Sequence, residues 1–353
     1  MANIQDVAKR AGVSISTVSR VLNGTARVNS EVKARVEAAI EELAYRPSRA
    51  ARSLRTNHST IIGLLVTDIQ NPFFLGLIKG VEDVAQRRGY SMILCNSDEN
   101  PQREQQYLGV LGDERVAGII IVPTREQVRG LNRFHEHNIP IVALDRRIKD
   151  SSIDAVLTDN ITGAREAVAH LIQNGYRRIG VILGHKTITT GRDRLEGYRL
   201  ALRDAGIPHD PRLERHGDFN ERSGRQGARE LLELDPPIDA LFVGSNLMTV
   251  GALDVLHERG LHVPDDIAVI GYDEMPWTAL GALSLTTVIQ PTYELGSAAA
   301  ERLFQRMQKP AAQTRQEIIL SQTLRIRGSS APRRTSSTPS DATTSTYPGT
   351  ANR

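Results

Sequence analysis

The stretch IQDVAKRAGVSISTVSRVLNG, residues 4–24, decides how the amino-terminal end folds. Ile4, Val7, Ala8 and Ala11 recur at i, i+3, i+4 and i+7, the spacing that lines one face of a short helix. Gly12 stops that helix, and Ser14, after Val13, is placed to cap a second one with its side-chain oxygen. The second helix buries Val18, Val21 and Leu22 and turns Ser16, Thr17, Ser19 and Arg20 outward. A helix, a glycine turn and a second helix with a small polar outer face form the helix-turn-helix pattern, whose second helix enters the DNA major groove.

A third helix opens near Asn29 and Ser30 and repeats Val32, Val36, Ala39, Ile40 and Leu43 on one side, enough to cover the first two. Together they make a unit of about 45 residues, close to the lower limit for independent folding. Tyr45-Arg46-Pro47 ends it, because proline biases the preceding residue away from helix. The following SRAARSLRT, residues 48–56, contains good helix formers but scarcely any apolar surface, so its helix is marginal alone. Arg46, Arg49, Arg52 and Arg55 wind a cationic stripe around Leu54, the one large apolar side chain there; composition leaves a solvated linker equally open.

From Ile61 onward, short β-branched runs alternate with helical patterns: IIGLLV, SMILCN, VAGIIIV, IPIVAL and AVLTD, then RIGVILG, ALFVGS and IAVIGY. Continuous apolar runs separated by helices predict parallel strands covered on both faces. Eight such runs exceed one compact unit, so the pattern predicts two doubly wound α/β subdomains dividing near residues 159–163 and again near Gln290. The resulting plan is an all-α helix-turn-helix headpiece at 1–46, a hinge at 47–58 and an α/β core at 59–328. Within the core, the first subdomain takes about 59–160 and 291–328, and the second about 161–290. Of the last 25 residues, 15 are Ser, Thr or Pro and none is Leu or Ile, which predicts a disordered tail at 329–353.

The whole chain of 353 residues carries a net charge of +3, but unevenly. Residues 1–58 hold ten Lys/Arg against five Asp/Glu, whereas the rest holds 34 against 36. A basic leading module before a near-neutral body is the electrostatic footprint of a protein that meets phosphate at one end only. No run approaches the roughly 18 apolar residues needed to span a bilayer, and MANIQDVAKRAGVS lacks a secretory apolar block, so a cytoplasmic protein is expected. Cys95, the single cysteine, excludes an internal disulfide and a multi-cysteine zinc site, and its SMILCN context reads as core.

The string of residues 4–24, followed by YRPSRAARSLRT, closely resembles the headpiece and hinge of the LacI/purine-repressor family of bacterial transcription regulators, and the resemblance extends from about Asn3 to Arg327. It implies a periplasmic-binding-protein-like core that holds a small polar effector, and a homodimer on a pseudo-palindromic operator. The positions that relatives use to read bases correspond to Ile15, Ser16 and Arg20. Arg20 can offer two parallel donors to guanine, Ser16 can pair with several bases, and Ile15 can touch a thymine methyl or pack under Val18. Thr17, Ser19 and Asn23 suit phosphates. The resemblance further implies a hinge, with Arg52, that becomes helical on the operator and inserts Leu54 into the minor groove as a wedge.

In the core, the same resemblance marks Asn71, Phe73 and Phe74 after the first strand, Asp145 after IPIVAL, Arg194 in GRDRLEGYR and Asp273 after IAVIGY. Phe219, Ser245, Asn246 and Gln290 are further candidates. Acids, a guanidinium and an amide beside aromatic faces suit the hydroxyls of a sugar, each of which both donates and accepts. Strand-end Asp and Asn also cap helices, a role open to each of these residues. Many relatives carry Asn-Asp where this chain reads Ser245-Asn246, so one carboxylate is lost there. Trp277 can cover a ligand or simply pack. The tail lacks the leucine heptads through which some relatives tetramerise, which favours a dimer.

Other function classes find little support. GVILGHKT, residues 180–187, approaches a phosphate-binding loop, but His185 stands where the motif requires its second glycine. His135 and His137 point to different faces of a helix, and Asp265-Asp266 reads as a turn, so neither catalytic nor metal-binding residues are expected, and no cofactor. A sugar receptor without a regulatory role would lack the headpiece. A purine co-repressor or an activating output would keep the family and change only the effector or the sign of its action.

Overall fold

The computed structural model describes residues 2–23, 28–45, 59–275, 278–279, 284–308 and 314–333, except the side chain of Asn23. The described residues form two compact units, one up to residue 60 and one from residue 61 on.

In the first unit, helix α1 (Ile4–Ala11) opens with a reciprocal cap: the Asn3 side chain accepts from the amides of Gln5 and Asp6, and Asp6 accepts from the Asn3 amide. Gly12 ends it with φ +63°, the left-handed conformation glycine adopts without strain. Helix α2 (Ile15–Asn23) begins under Ser14, whose hydroxyl accepts from the Thr17 amide at 3.2 Å. Helix α3 (Ser30–Glu42) is capped by Asn29. Val7, Ala8, Ala11, Val18, Val36 and Ala39 form the buried core; of the other positions in the helical spacing, Ile4, Val21, Leu22, Ile40 and Leu43 pack against it half-buried, and Val32 is half-buried too. Arg35 of α3 donates to the carbonyls of Ala11 and Gly12, satisfying the end of α1.

The second unit contains two sheets. The first takes β1 (Ile61–Val66), β2 (Ser91–Asn96), β3 (Gly118–Ile121), β4 (Ile141–Leu144), β5 (Asp154–Thr158) and β11 (Glu317–Leu320) in the order β11-β5-β4-β3-β1-β2, all parallel. The second repeats that order with β6 (Ile179–Gly184), β7 (Glu214–Gly217), β8 (Ala240–Val243), β9 (Ala268–Tyr272), β10 (Thr286–Ile289) and β12 (Thr323–Arg325). Here only β12 runs antiparallel, against β10. Helices α4 (Phe73–Arg87) and α11 (Thr292–Gln308) cover one face of the first sheet, and α5 (Pro101–Asp113) and the short α6 (Asn132–Glu136) lie on its other face. In the second sheet α7 (Asn160–Gln173) and α8 (Thr189–Asp204) cover one face, α9 (Glu221–Leu232) and α10 (Asn246–Glu258) the other. A β-carbon on Gly251 of α10 would fall 2.0 Å from the Glu221 carbonyl oxygen, so glycine there lets α9 and α10 cross closely.

The eight apolar runs all become strands, and Cys95 is buried as expected. Two predicted boundaries need correction. The chain crosses between the sheets three times, at 158–160, 289–292 and 320–323, so β12 and the residues after it belong to the second subdomain rather than the first. Residues 329–333 are also core rather than tail. Ser329 and Ser330 are fully buried, the Ser329 hydroxyl donates to the Val269 carbonyl at 2.6 Å, and the Tyr176 hydroxyl donates to the Ala331 carbonyl at 2.9 Å. These hydroxyls find backbone partners, which removes the cost of burying them. The rest of the predicted tail and the hinge at 47–58 lie outside the described residues.

Candidate functional site

The carboxyl ends of both sheets face a shared cavity of about 900 Å³. This is where ligands of doubly wound sheets bind. Of the residues singled out in the core sequence, Asn71, Phe73, Phe74, Asp145, Arg194, Phe219, Ser245, Asp273 and Gln290 line it. Asn246 does not. It stands behind Asn71 and donates its amide to the Asn71 side-chain oxygen at 2.8 Å, tying one subdomain to the other. Ser245 both lines the cavity and caps α10, its hydroxyl accepting from the Met248 amide at 3.3 Å. Trp277 lies outside the described residues.

Asp145 and Asp273 occupy equivalent places after β4 and β9. Both have left-handed backbones, φ +64° and +66°, and their amides donate to Val156 and Val288 on the neighbouring strand at 2.9 and 2.8 Å. A non-glycine residue held in that region marks a conformation fixed by its surroundings, and two at mirrored positions aim two carboxylates into one cavity. Arg194, 3% exposed, donates from Nε to Asn160 Oδ1 at 2.8 Å and from Nη1 to the Gly244 carbonyl at 2.6 Å. Its guanidinium carbon lies 3.6 Å from the Tyr272 ring centroid. Gln290 donates to Asp273 Oδ1 at 2.6 Å and accepts from the Thr158 hydroxyl at 2.7 Å. Arg194 and Gln290 thus connect the cavity to the chain crossings.

Burial raises the Asp145 carboxyl from 3.8 to about 6, even against the opposing charges of Arg146 and Arg194. Burial likewise raises Asp273, with Arg194 and the Gln290 hydrogen bond pulling the other way. Asp145 Oδ1 and the neighbouring Arg146 Nε are both buried without a hydrogen-bond partner. They are one acceptor and one donor, the pair a single hydroxyl would satisfy. Asn71 commits its oxygen to the Phe73 amide and to Asn246, leaving its NH₂ to donate.

Because the folded-state value of Asp145 exceeds the unfolded one, this carboxyl favours the fold fully below pH 3.8 and loses that contribution as pH rises through about 6. Asp145→Asn keeps a residue type that tolerates φ +64° and removes the buried charge. The empty core is therefore expected to gain on the order of 2 kcal/mol at pH 7.5 and to lose part of its pH dependence between pH 4 and 7, read from urea midpoints.

Sequence reasoning missed Arg146 and Glu99, which also line the cavity. Arg146 sits in the charged string RRIK, yet its side chain is 6% exposed. Two ion pairs join the subdomains: Arg147 Nη1 meets Asp193 Oδ2 at 2.9 Å, and Arg192 Nη1 meets Glu126 Oε1 at 2.7 Å.

In the headpiece, Ile15 is 43% exposed instead of packed under Val18, and Ser16 and Arg20 are exposed beside it. The Ser16 hydroxyl is 2.7 Å from that of Ser14. Thr17 and Ser19 are half-buried, and the Asn23 side chain, Arg52 and Leu54 lie outside the described residues. Arg20 is the only cation on α2. No described helix is long and apolar enough to cross a membrane.

Two family models match: bacterial regulatory proteins of the lacI family over residues 3–48, and the periplasmic binding proteins and sugar binding domain of the LacI family over residues 59–326. The chain is 39% identical to the ribose operon repressor of Escherichia coli over 330 residues, 93% of this chain and 100% of that protein. A LacI family regulator from Enterococcus faecium with bound ribose matches 78% of this chain and 100% of its own, at TM-score 0.71 and 31% identity. The lac repressor dimer bound to operator and an anti-inducer matches 94% and 99%, at TM-score 0.81 and 28% identity. The relatives are repressors rather than enzymes. A helix-turn-helix headpiece joined to a two-sheet effector core therefore makes this chain a DNA-binding transcriptional regulator of the LacI family.

Proposed function

We propose that this regulator is a pentose-operon repressor that holds D-ribose in the cavity between its two sheets and binds a pseudo-palindromic operator as a homodimer. The observation that carries the reading is the pair of mirrored buried carboxylates, Asp145 and Asp273, with Arg194 acting on both and phenylalanines around them. A furanose or pyranose ring offers apolar faces to Phe73, Phe74 and Phe219 and a rim of hydroxyls to the acids, Asn71, Ser245 and Gln290. The ribose repressor likeness and the ribose-bound structure support the same ligand.

On the DNA side, Ile15, Ser16 and Arg20 read bases, while Thr17, Ser19 and Asn23 hold phosphates. The hinge orders on the operator, with Arg52 at the backbone and Leu54 as the wedge. Leu54→Ala is expected to weaken operator binding while leaving sugar affinity nearly intact; equal operator affinity in a titration contradicts the wedge. The protein works in the cytoplasm, on the nucleoid.

A thermal-shift screen of D-ribose, other pentoses, hexoses, hypoxanthine and guanine, with and without operator, tests the effector. D-ribose raising the midpoint most, and less so with operator present, is the expected result. A response to purines alone overturns the pentose reading.

A further inference from the structure

Arg146 is held in an unusual way for a residue lining a ligand cavity. Glu99 grips it by a two-bond fork, Nη2 to Oε1 at 2.6 Å and Nη1 to Oε2 at 2.9 Å, and Nη1 also reaches the Pro123 carbonyl at 3.2 Å. The loop that presents Glu99 takes two successive left-handed non-glycine conformations, Asp98 at φ +56° and Glu99 at +50°. Burial works against the Glu99 charge, but the guanidinium and its hydrogen bonds outweigh it and hold the carboxyl below its usual range. Arg146 is buried while the Glu99 side chain keeps 29% of its surface exposed, so desolvating the guanidinium offsets part of the attraction and the pair alone is a modest stabiliser.

With both terminal nitrogens fixed, the guanidinium has its Nε edge and its flat faces left to offer. The guanidinium carbon lies 5.2 Å from the ring centroid of Phe219, which belongs to the other subdomain. Phe219 is itself left-handed, at φ +54°, and its ring fills the space over Gly184, where a β-carbon would fall 1.9 Å from its Cζ. Three uncommon backbone conformations thus converge on one contact between two subdomains that line the cavity.

Taking the cavity as the effector site, as proposed above, we infer that Glu99 is a positioning residue: it orients Arg146 so that the guanidinium face clasps Phe219, and this clasp sets how long the closed cleft retains its ligand. Glu99 acts through Arg146 on the opening rate of the subdomains. A buried cation over a half-buried aromatic face contributes enough to slow opening by roughly ten-fold.

The test measures release of radiolabelled D-ribose from the full-length protein, chased with unlabelled sugar, for wild type, Glu99→Gln, Phe219→Leu and the double variant. Each is also made with Arg146→Lys, which keeps the charge and loses the planar fork. Glu99→Gln is expected to speed release by roughly ten-fold with association changed less than about two-fold. Its effect and that of Phe219→Leu should be non-additive with Arg146 present and additive with lysine there. Unchanged release in Glu99→Gln, or full additivity in both backgrounds, overturns the clasp. If the wild type binds no D-ribose, the pentose reading fails instead, and the same cycle is read in urea midpoints of the empty protein: coupling between Glu99 and Phe219 that requires Arg146 upholds the clasp, and its absence overturns it.

Discussion

With Arg20 reading guanine as proposed, Arg20→Ala is expected to weaken binding to the protein's palindrome by roughly 10²- to 10⁴-fold, one bidentate contact in each of two half-sites at about 1–3 kcal/mol apiece. The headpiece should stay folded. Arg20 is exposed, whereas Val18 on the same helix is fully buried and holds α2 against α1 and α3. Far-ultraviolet circular dichroism should therefore be unchanged while an electrophoretic or anisotropy titration shows the loss. Binding to random duplex should fall far less, with a salt slope reduced only slightly, since removing base readout leaves the phosphate contacts in place. Equal affinity of variant and wild type for the palindrome would sink the assignment of Arg20.

Arg194→Met should have the largest effect in the core. It removes the bonds to Asn160 and Gly244 and the stacking on Tyr272, and it strips the cation that opposes the burial of both Asp145 and Asp273. Breaking a buried charge cluster by deleting one partner costs about 3–5 kcal/mol, and sugar affinity should fall by about three orders of magnitude or more. The sign of the pH dependence is diagnostic. Without Arg194 the two carboxyls rise further, so the variant regains stability as pH is lowered toward 5 and the carboxyls take up protons. Urea midpoints at pH 5 and pH 7.5, with isothermal titration of D-ribose, check both effects. A variant equally unstable at both pH values would contradict the account of the charges.

The headpiece was legible because its determinants are local: the Asn3 and Ser14 caps, Gly12 and the helical spacing of the buried residues all lie within a few positions of one another. The central strands were legible because both faces are buried and the runs are continuously apolar. What escaped was at the edges. ERHG of β7, EIIL of β11 and TLR of β12 each pair on one side only, so they need neither length nor an apolar run. TTVI of β10 is short and half threonine. The crossing that sends β12 to the second sheet depends on pairing with β10, far from it in sequence, and no local pattern encodes that.

The cavity residues were found chiefly where a strand-end rule and family likeness coincided, as at Asp145 and Asp273. Arg146 was missed because its charge and its charged neighbours in RRIK imitate a solvated surface. Only the fold reveals that Glu99, from the loop after β2, reaches it. Asn246 was misplaced for the opposite reason. It follows a strand end as the other candidates do, but its amide is spent on Asn71 and it does not line the cavity.

The central claim, that sugar in the cleft governs DNA binding by the headpiece, is tested most directly by anisotropy. The full-length protein is titrated onto its fluorescein-labelled selected palindrome, with and without saturating D-ribose. The account predicts that D-ribose weakens operator binding by about ten-fold or more, and that saturating operator weakens D-ribose binding by the same factor. Operator affinity that stays the same while the cleft is demonstrably filled with D-ribose would contradict it.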